Sequence, residues 1–117
     1  MKASSYKTLE NKSIVNGIHP HVIKRMAFAA SLNSGKLHKG QIIGLSSGAL
    51  AVASDTVGSE VPAYGVILET VDTTAAGFVN VLVHGTVNKD EILGYAGSAA
   101  ATATELAGLE KAGIWAI

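Results

Sequence analysis

The clearest alternation of apolar and polar positions runs through residues 78–83, where Val79, Val81 and Val83 share one side and Phe78, Asn80 and Leu82 the other. This segment predicts a strand whose all-valine face is buried and whose other face, carrying Asn80, borders solvent or another subunit. Shorter apolar runs at residues 22–30, 41–45, 49–53, 64–68 and 114–117 predict further strands. Asn33-Ser34-Gly35 is a turn signal, and Ser46-Ser47-Gly48 between two apolar runs reads as a hairpin. Residues 54–60 read as a polar loop, with Pro62 just ahead of the next strand, where its missing donor does least harm. Asn88 followed by Glu91, with Gly94 as a stop, predicts one or two helical turns. Thr102 and Glu105 have capping-box spacing, Leu106 and Leu109 supply an apolar stripe, and Gly113 ends a helix too short to stand without packing on the sheet.

Residues 1–21 hold no strand or helix period. Their apolar residues Tyr6, Leu9, Ile14, Val15 and Ile18 are isolated among polar ones, and Asn16-Gly17 and His19-Pro20 are turn signals. The segment reads as an extended N-terminal arm, 1–21, ahead of a β-rich domain, 22–117. The arm's five apolar residues are the candidates for contact with a partner.

The chain has 117 residues, of which 48% are hydrophobic but only 5% aromatic. A small domain this apolar is expected to carry exposed apolar patches that subunit contacts cover, although many of these residues are alanines, which cost little when exposed. Nine basic residues balance nine acidic ones, so no nucleic-acid partner is expected. The charges are not evenly spread: Lys2, Lys7, Lys12, Lys24, Arg25, Lys36 and Lys39 lie in the first third, and every acidic residue except Glu10 lies at or after Asp55. That polarity suits docking on a partner. The absence of cysteine removes disulfides, thiolate metal sites and a cysteine nucleophile. No stretch approaches a membrane span, no membrane partner is expected, and the start of the chain shows no secretory signal.

Chemistry-bearing residues do not assemble into a motif. His19 and His21 flank a proline without a third metal ligand nearby, and no metal or other cofactor is expected. His84 ends the strongest strand, but no Ser or Asp is spaced to form a triad with it, and a surface or interface histidine is the simpler reading. Asp72, Asp90, Glu91, Glu105 and Glu110 form no paired motif, and Asp90-Glu91 suits a helix start. The glycines fit turns rather than a phosphate loop. The residues therefore point to a non-enzymatic, structural or binding role.

Several ordered motifs resemble one family. Leu37-xx-Gly40-xx-Ile43-Gly44, Pro62-Ala-Tyr-Gly65-Val-Ile-Leu-Glu69-xx-Asp72-xx-Ala75, Val81-Leu-Val83-xx-Gly85-xx-Val87-Asn88 and Leu109-xxx-Gly113-Ile114 are similar to the lambda-type phage head decoration proteins, from about Val22 to the C-terminus. The resemblance implies a mainly β, compact β-tulip-like domain of short antiparallel strands with one or two short helices. It implies homotrimers on the outer surface of an expanded icosahedral capsid, made in the host cytoplasm and stabilising the virion against packaged-DNA pressure. Its partners would be the major capsid protein and other copies of the chain. Residues 1–21 would then correspond by position to the arm that adds to a sheet of the major capsid protein. The alternative is a surface-displayed binding module, a glycan or receptor adhesin. Exposed aromatic platforms would favour it, and Tyr6, Tyr64, Tyr95 and Trp115 do not cluster in sequence.

Overall fold

A computed structural model describes residues 21–117; the five arm candidates, Tyr6, Leu9, Ile14, Val15 and Ile18, lie outside the described residues. The domain is mainly β, as the hydrophobic pattern predicts. Its central element is β7 (Gly77–Val87), 11 residues long. β1 (Val22–Phe28) pairs antiparallel along one side of it, with Ile23 opposite Leu82 and Ala27 opposite Phe78. β5 (Ala63–Ile67) pairs antiparallel with β7, β3 (Ile42–Ser46) with β5, and β4 (Ala49–Val52) with β3. The resulting order is β1-β7-β5-β3-β4, and the sheet curls so that β1 also approaches β4. A two-stranded ribbon, β2 (Lys36–Leu37) with β6 (Val71–Asp72), lies beside it.

The hairpin at residues 46–49 forms as its sequence requires. Ser46 pairs with Ala49, and the two loop residues Ser47 (φ 53) and Gly48 (φ 83) both take left-handed backbone, the requirement of a two-residue turn whose twist matches its strands. β1 ends at Phe28, two residues short of the predicted apolar run. Beyond it the chain bends through left-handed Ser31, Asn33 and Ser34. The Asn33 side chain donates to the Lys36 carbonyl at 2.8 Å and holds that turn.

One expectation is corrected at β7. Val79 and Val81 are fully buried and Val83 half-buried, but Leu82 on the opposite face is buried as well. The sheet carries a core on each side. The inner one comprises Phe28, Leu37, Ile43, Leu50, Ile67, Val79 and Val81. The outer one comprises Ile42, Val66, Leu82, Ile92, Leu109 and Ile114. The neighbouring pairs Ile42–Ile43, Val66–Ile67 and Val81–Leu82 are each divided between the two. That division explains unbroken apolar runs in the sequence, because successive strand residues face opposite sides and both sides are covered.

The outer core is closed by α1 (Ala103–Lys111) and by β8 (Ile114–Ala116). α1 begins with the predicted capping box: the Thr102 hydroxyl accepts from the Glu105 amide at 3.2 Å, and Glu105 accepts from the Thr102 amide at 2.8 Å. The second Glu105 oxygen accepts from the Tyr95 amide at 3.1 Å, so one carboxylate ties the helix start to the preceding loop. β8 runs parallel to β7, with Gly85 opposite Ile114, and departs from the otherwise antiparallel plan. The crossover helix makes this possible, because a parallel neighbour cannot be reached through a tight turn. The helical segment predicted at 88–94 is shorter than expected. A single 3-10 turn, Lys89–Glu91, is capped by Asn88, and Ile92 is already extended because its side chain enters the outer core.

β5 lies very close to β7 at Gly65. A Cβ there would stand 2.5 Å from Val81 Cγ1 and 2.6 Å from the Leu82 carbonyl oxygen, so only glycine fits without displacing backbone.

Candidate interaction surface

α1, β8 and the 89–91 turn cover only part of the outer face of the sheet. Among the described residues, nothing covers the part formed by β1 and the first half of β7. Ile23 is 55% exposed and Phe78 59% exposed, and Arg25 and Ala27 between them along β1 are also exposed. These side chains share one face because Ile23, Arg25 and Ala27 alternate along the strand and Ala27 pairs with Phe78. The Arg25 guanidinium lies over the Phe78 ring, 5.7 Å from its centroid, which shields part of the ring and keeps a positive charge on the patch.

Where the covered and open parts meet there is a groove of about 630 Å³. Val66, Leu68 and Leu82 contribute apolar lining, Ile23 of β1 and His21 just ahead of that strand line one side, and Lys39 and Glu91 bring charge to it. The His21 ring nitrogen Nε2 lies 3.2 Å from the Thr86 carbonyl, which fixes the point where the preceding segment enters the domain. The position expected to root the arm therefore adjoins the open apolar face.

A second hollow, about 460 Å³, is lined by Asp55, Glu60, Tyr95, Gly108 and Lys111 among others. The Tyr95 hydroxyl donates to Asp55 at 3.3 Å. Partial burial, with Asp55 and Glu105 nearby, pushes the Tyr95 phenol up to about 12. The loop that supplies Asp55 is closed by reciprocal Ser54–Val61 backbone hydrogen bonds at 2.9 Å. At its tip, Val57 is 91% exposed.

Of the histidines and carboxylates singled out from the sequence, His19 lies outside the described residues, and His84, Asp72 and Glu105 have structural partners. His84 stacks edge-on against Trp115, centroids 5.8 Å apart at 88°, and joins the end of β7 to β8. Glu69 accepts from the Asn80 amide at 3.3 Å. Asp72 accepts from the Thr74 hydroxyl at 2.7 Å and from its amide at 2.8 Å, and these bonds hold its carboxyl below the usual carboxylate range. Asp90 and Glu91 occupy the short turn, and Glu105 completes the cap. The fully buried Gln41 donates to the Tyr95 carbonyl at 2.8 Å and accepts from the His38 amide at 3.1 Å. Among the described residues, no three metal-binding side chains gather, and no helix is long and apolar enough to cross a membrane.

Sequence reasoning placed Phe78 on the outward face of β7 but did not find the groove, the Arg25–Phe78 contact or the Val57 tip. The groove joins residues from four separate segments, and no local period marks such a site. Val57 had a weak signal: it is a lone β-branched residue inside a polar loop. No family model matches the chain, and a search of curated proteins finds no match.

Proposed function

We propose that the chain is a structural subunit that coats the outside of an icosahedral phage shell as trimers and stabilises it against internal pressure. The observation that carries this reading is the open apolar face around Ile23 and Phe78, set beside His21, where the N-terminal segment joins the domain. A face of this kind on a small domain is suited to burial against a partner. The ordered motifs that resemble those of the lambda-type decoration proteins support a shell, together with other copies of the chain, as what covers it. In this reading residues 1–21 add as a strand to the major capsid protein, where backbone hydrogen bonds attach the segment and its scattered apolar residues set the register. One arm binds weakly because ordering costs entropy. Three arms on one trimer act together, which raises affinity by roughly two to four orders of magnitude.

The test is removal of residues 1–16. The described residues 21–117 supply two buried clusters of their own, so the shortened protein is expected to fold but not to attach to expanded heads. Full occupancy on heads by the shortened protein, measured by gel densitometry of purified particles, overturns the arm's role. Heads lacking the protein are expected to rupture at a lower temperature than coated ones, and equal resistance overturns the stabilising role.

A further inference from the structure

The 54–60 loop is built as a plug. Ser54 and Val61 exchange two backbone hydrogen bonds, the Thr56 amide donates to the Ser54 hydroxyl at 3.1 Å, and the Ser59 amide donates to the Thr56 carbonyl at 2.9 Å. Gly58, at φ 87, supplies the left-handed position of that last turn. The loop therefore holds its shape before any partner arrives, and docking it costs little ordering entropy. At its tip stands Val57, and on either side are Asp55 and Glu60, both exposed, with no basic residue in between.

The groove beside β1 has the complementary character. Its lining is apolar at Ile23, Leu68 and Leu82, Lys39 lines it, and Arg25 lies two residues along β1 on the face shared with Ile23. Glu91 also lines the groove, so the loop's carboxylates are placed toward Lys39 and Arg25 rather than toward Glu91. In its own chain the loop lies away from the lining of the groove. It is pinned beside the second hollow, whose lining shares no residue with the groove.

We propose that the 54–60 loop of one copy seats in the β1 groove of the next, with Val57 in the apolar socket and Asp55 and Glu60 against Lys39 and Arg25. The joint is heterologous, because each chain offers a plug on one surface and a socket on another. Repeated, it closes into a ring when the rotation allows and otherwise continues as a chain. It deepens the reading of the protein as a trimeric shell subunit by naming the seam, and it rests on that reading only for the number of copies.

The experiment uses the full chain. Sedimentation velocity across a concentration series is expected to show self-association that Val57→Asp weakens about tenfold or more in dissociation constant. Val57 packs on little in its own chain, so this variant is expected to keep its circular dichroism and its melting temperature. Glu60→Lys is expected to weaken association, and adding Lys39→Glu to restore it. A wild-type monomer at every concentration overturns the joint. So does an undiminished oligomer in Val57→Asp, or a double variant no better than Glu60→Lys alone. Binding to heads is scored separately. A protein that self-associates through this joint but never coats heads leaves the joint standing and defeats the cementing role. A protein that coats heads while Val57→Asp still assembles does the reverse.

Discussion

Leu109→Ala tests whether α1 is a structural lid over the sheet. Leu109 is fully buried and is the only buried residue of this nine-residue helix. It shares the outer core with Ile42, Val66, Leu82, Ile92 and Ile114. Truncation removes three carbons, worth about 2.4 kcal/mol at ~0.8 kcal/mol per buried methylene. The cavity left among these strand and helix side chains adds to that, because a sheet pinned by ladders cannot collapse inward, and the total is about 3–4 kcal/mol. For a domain of this size each kcal/mol moves the melting point by about 4–8 °C, so a drop of about 12–30 °C is expected. Trp115 is the only tryptophan and lies on β8 beside α1, so its fluorescence reports urea unfolding at the relevant place. Thr104→Ala, on the exposed side of the helix, serves as control and is expected to change stability by under about 0.5 kcal/mol. A loss below about 1 kcal/mol for Leu109→Ala would refute the reasoning, since no fully buried leucine in a well-packed core is that cheap.

Thr102→Ala removes the hydroxyl that accepts from the Glu105 amide, and a loss of about 1 kcal/mol is expected by urea titration. Gly65→Ala forces a methyl against the Leu82 carbonyl, and a loss of about 1–3 kcal/mol or failure to fold is expected from the melting curve. Partial burial, with Asp55 and Glu105 nearby, pushes the Tyr95 phenol up from its ordinary 10.0 to about 12. A raised folded value favours the protonated form, so its contribution is complete below pH 10 and is lost as the pH climbs toward 12. Tyr95→Phe is expected to flatten that alkaline loss, and an absorbance titration near 295 nm should lose one late-ionising tyrosine; an unchanged curve would assign the shift elsewhere.

The local signals in the chain translate directly into local structure. Ser47-Gly48 gives a two-residue hairpin because few other pairs accept left-handed backbone twice in succession. Thr102 and Glu105 give a capped helix because both partners of the cap lie within one turn. Val79 and Val81 are buried where the period-two pattern places them. At Leu82 the pattern ran out, because alternation tells two faces apart but not whether the second is covered. Residues 103–116, a helix and strand distant in sequence, supply that cover.

Much was thus decided by composition and spacing alone: a mainly β domain, its turns, its capped helix, and strands too apolar to stand in water. Only the tertiary structure decided that β8 lies parallel to β7, that the outer face is half covered, and that His21, Lys39, Leu68 and Glu91 line one groove. The physical reason is range. Capping, turn geometry and strand alternation act over a few residues and leave a mark in the local sequence, whereas a groove and an uncovered face depend on which distant segments meet and where they stop.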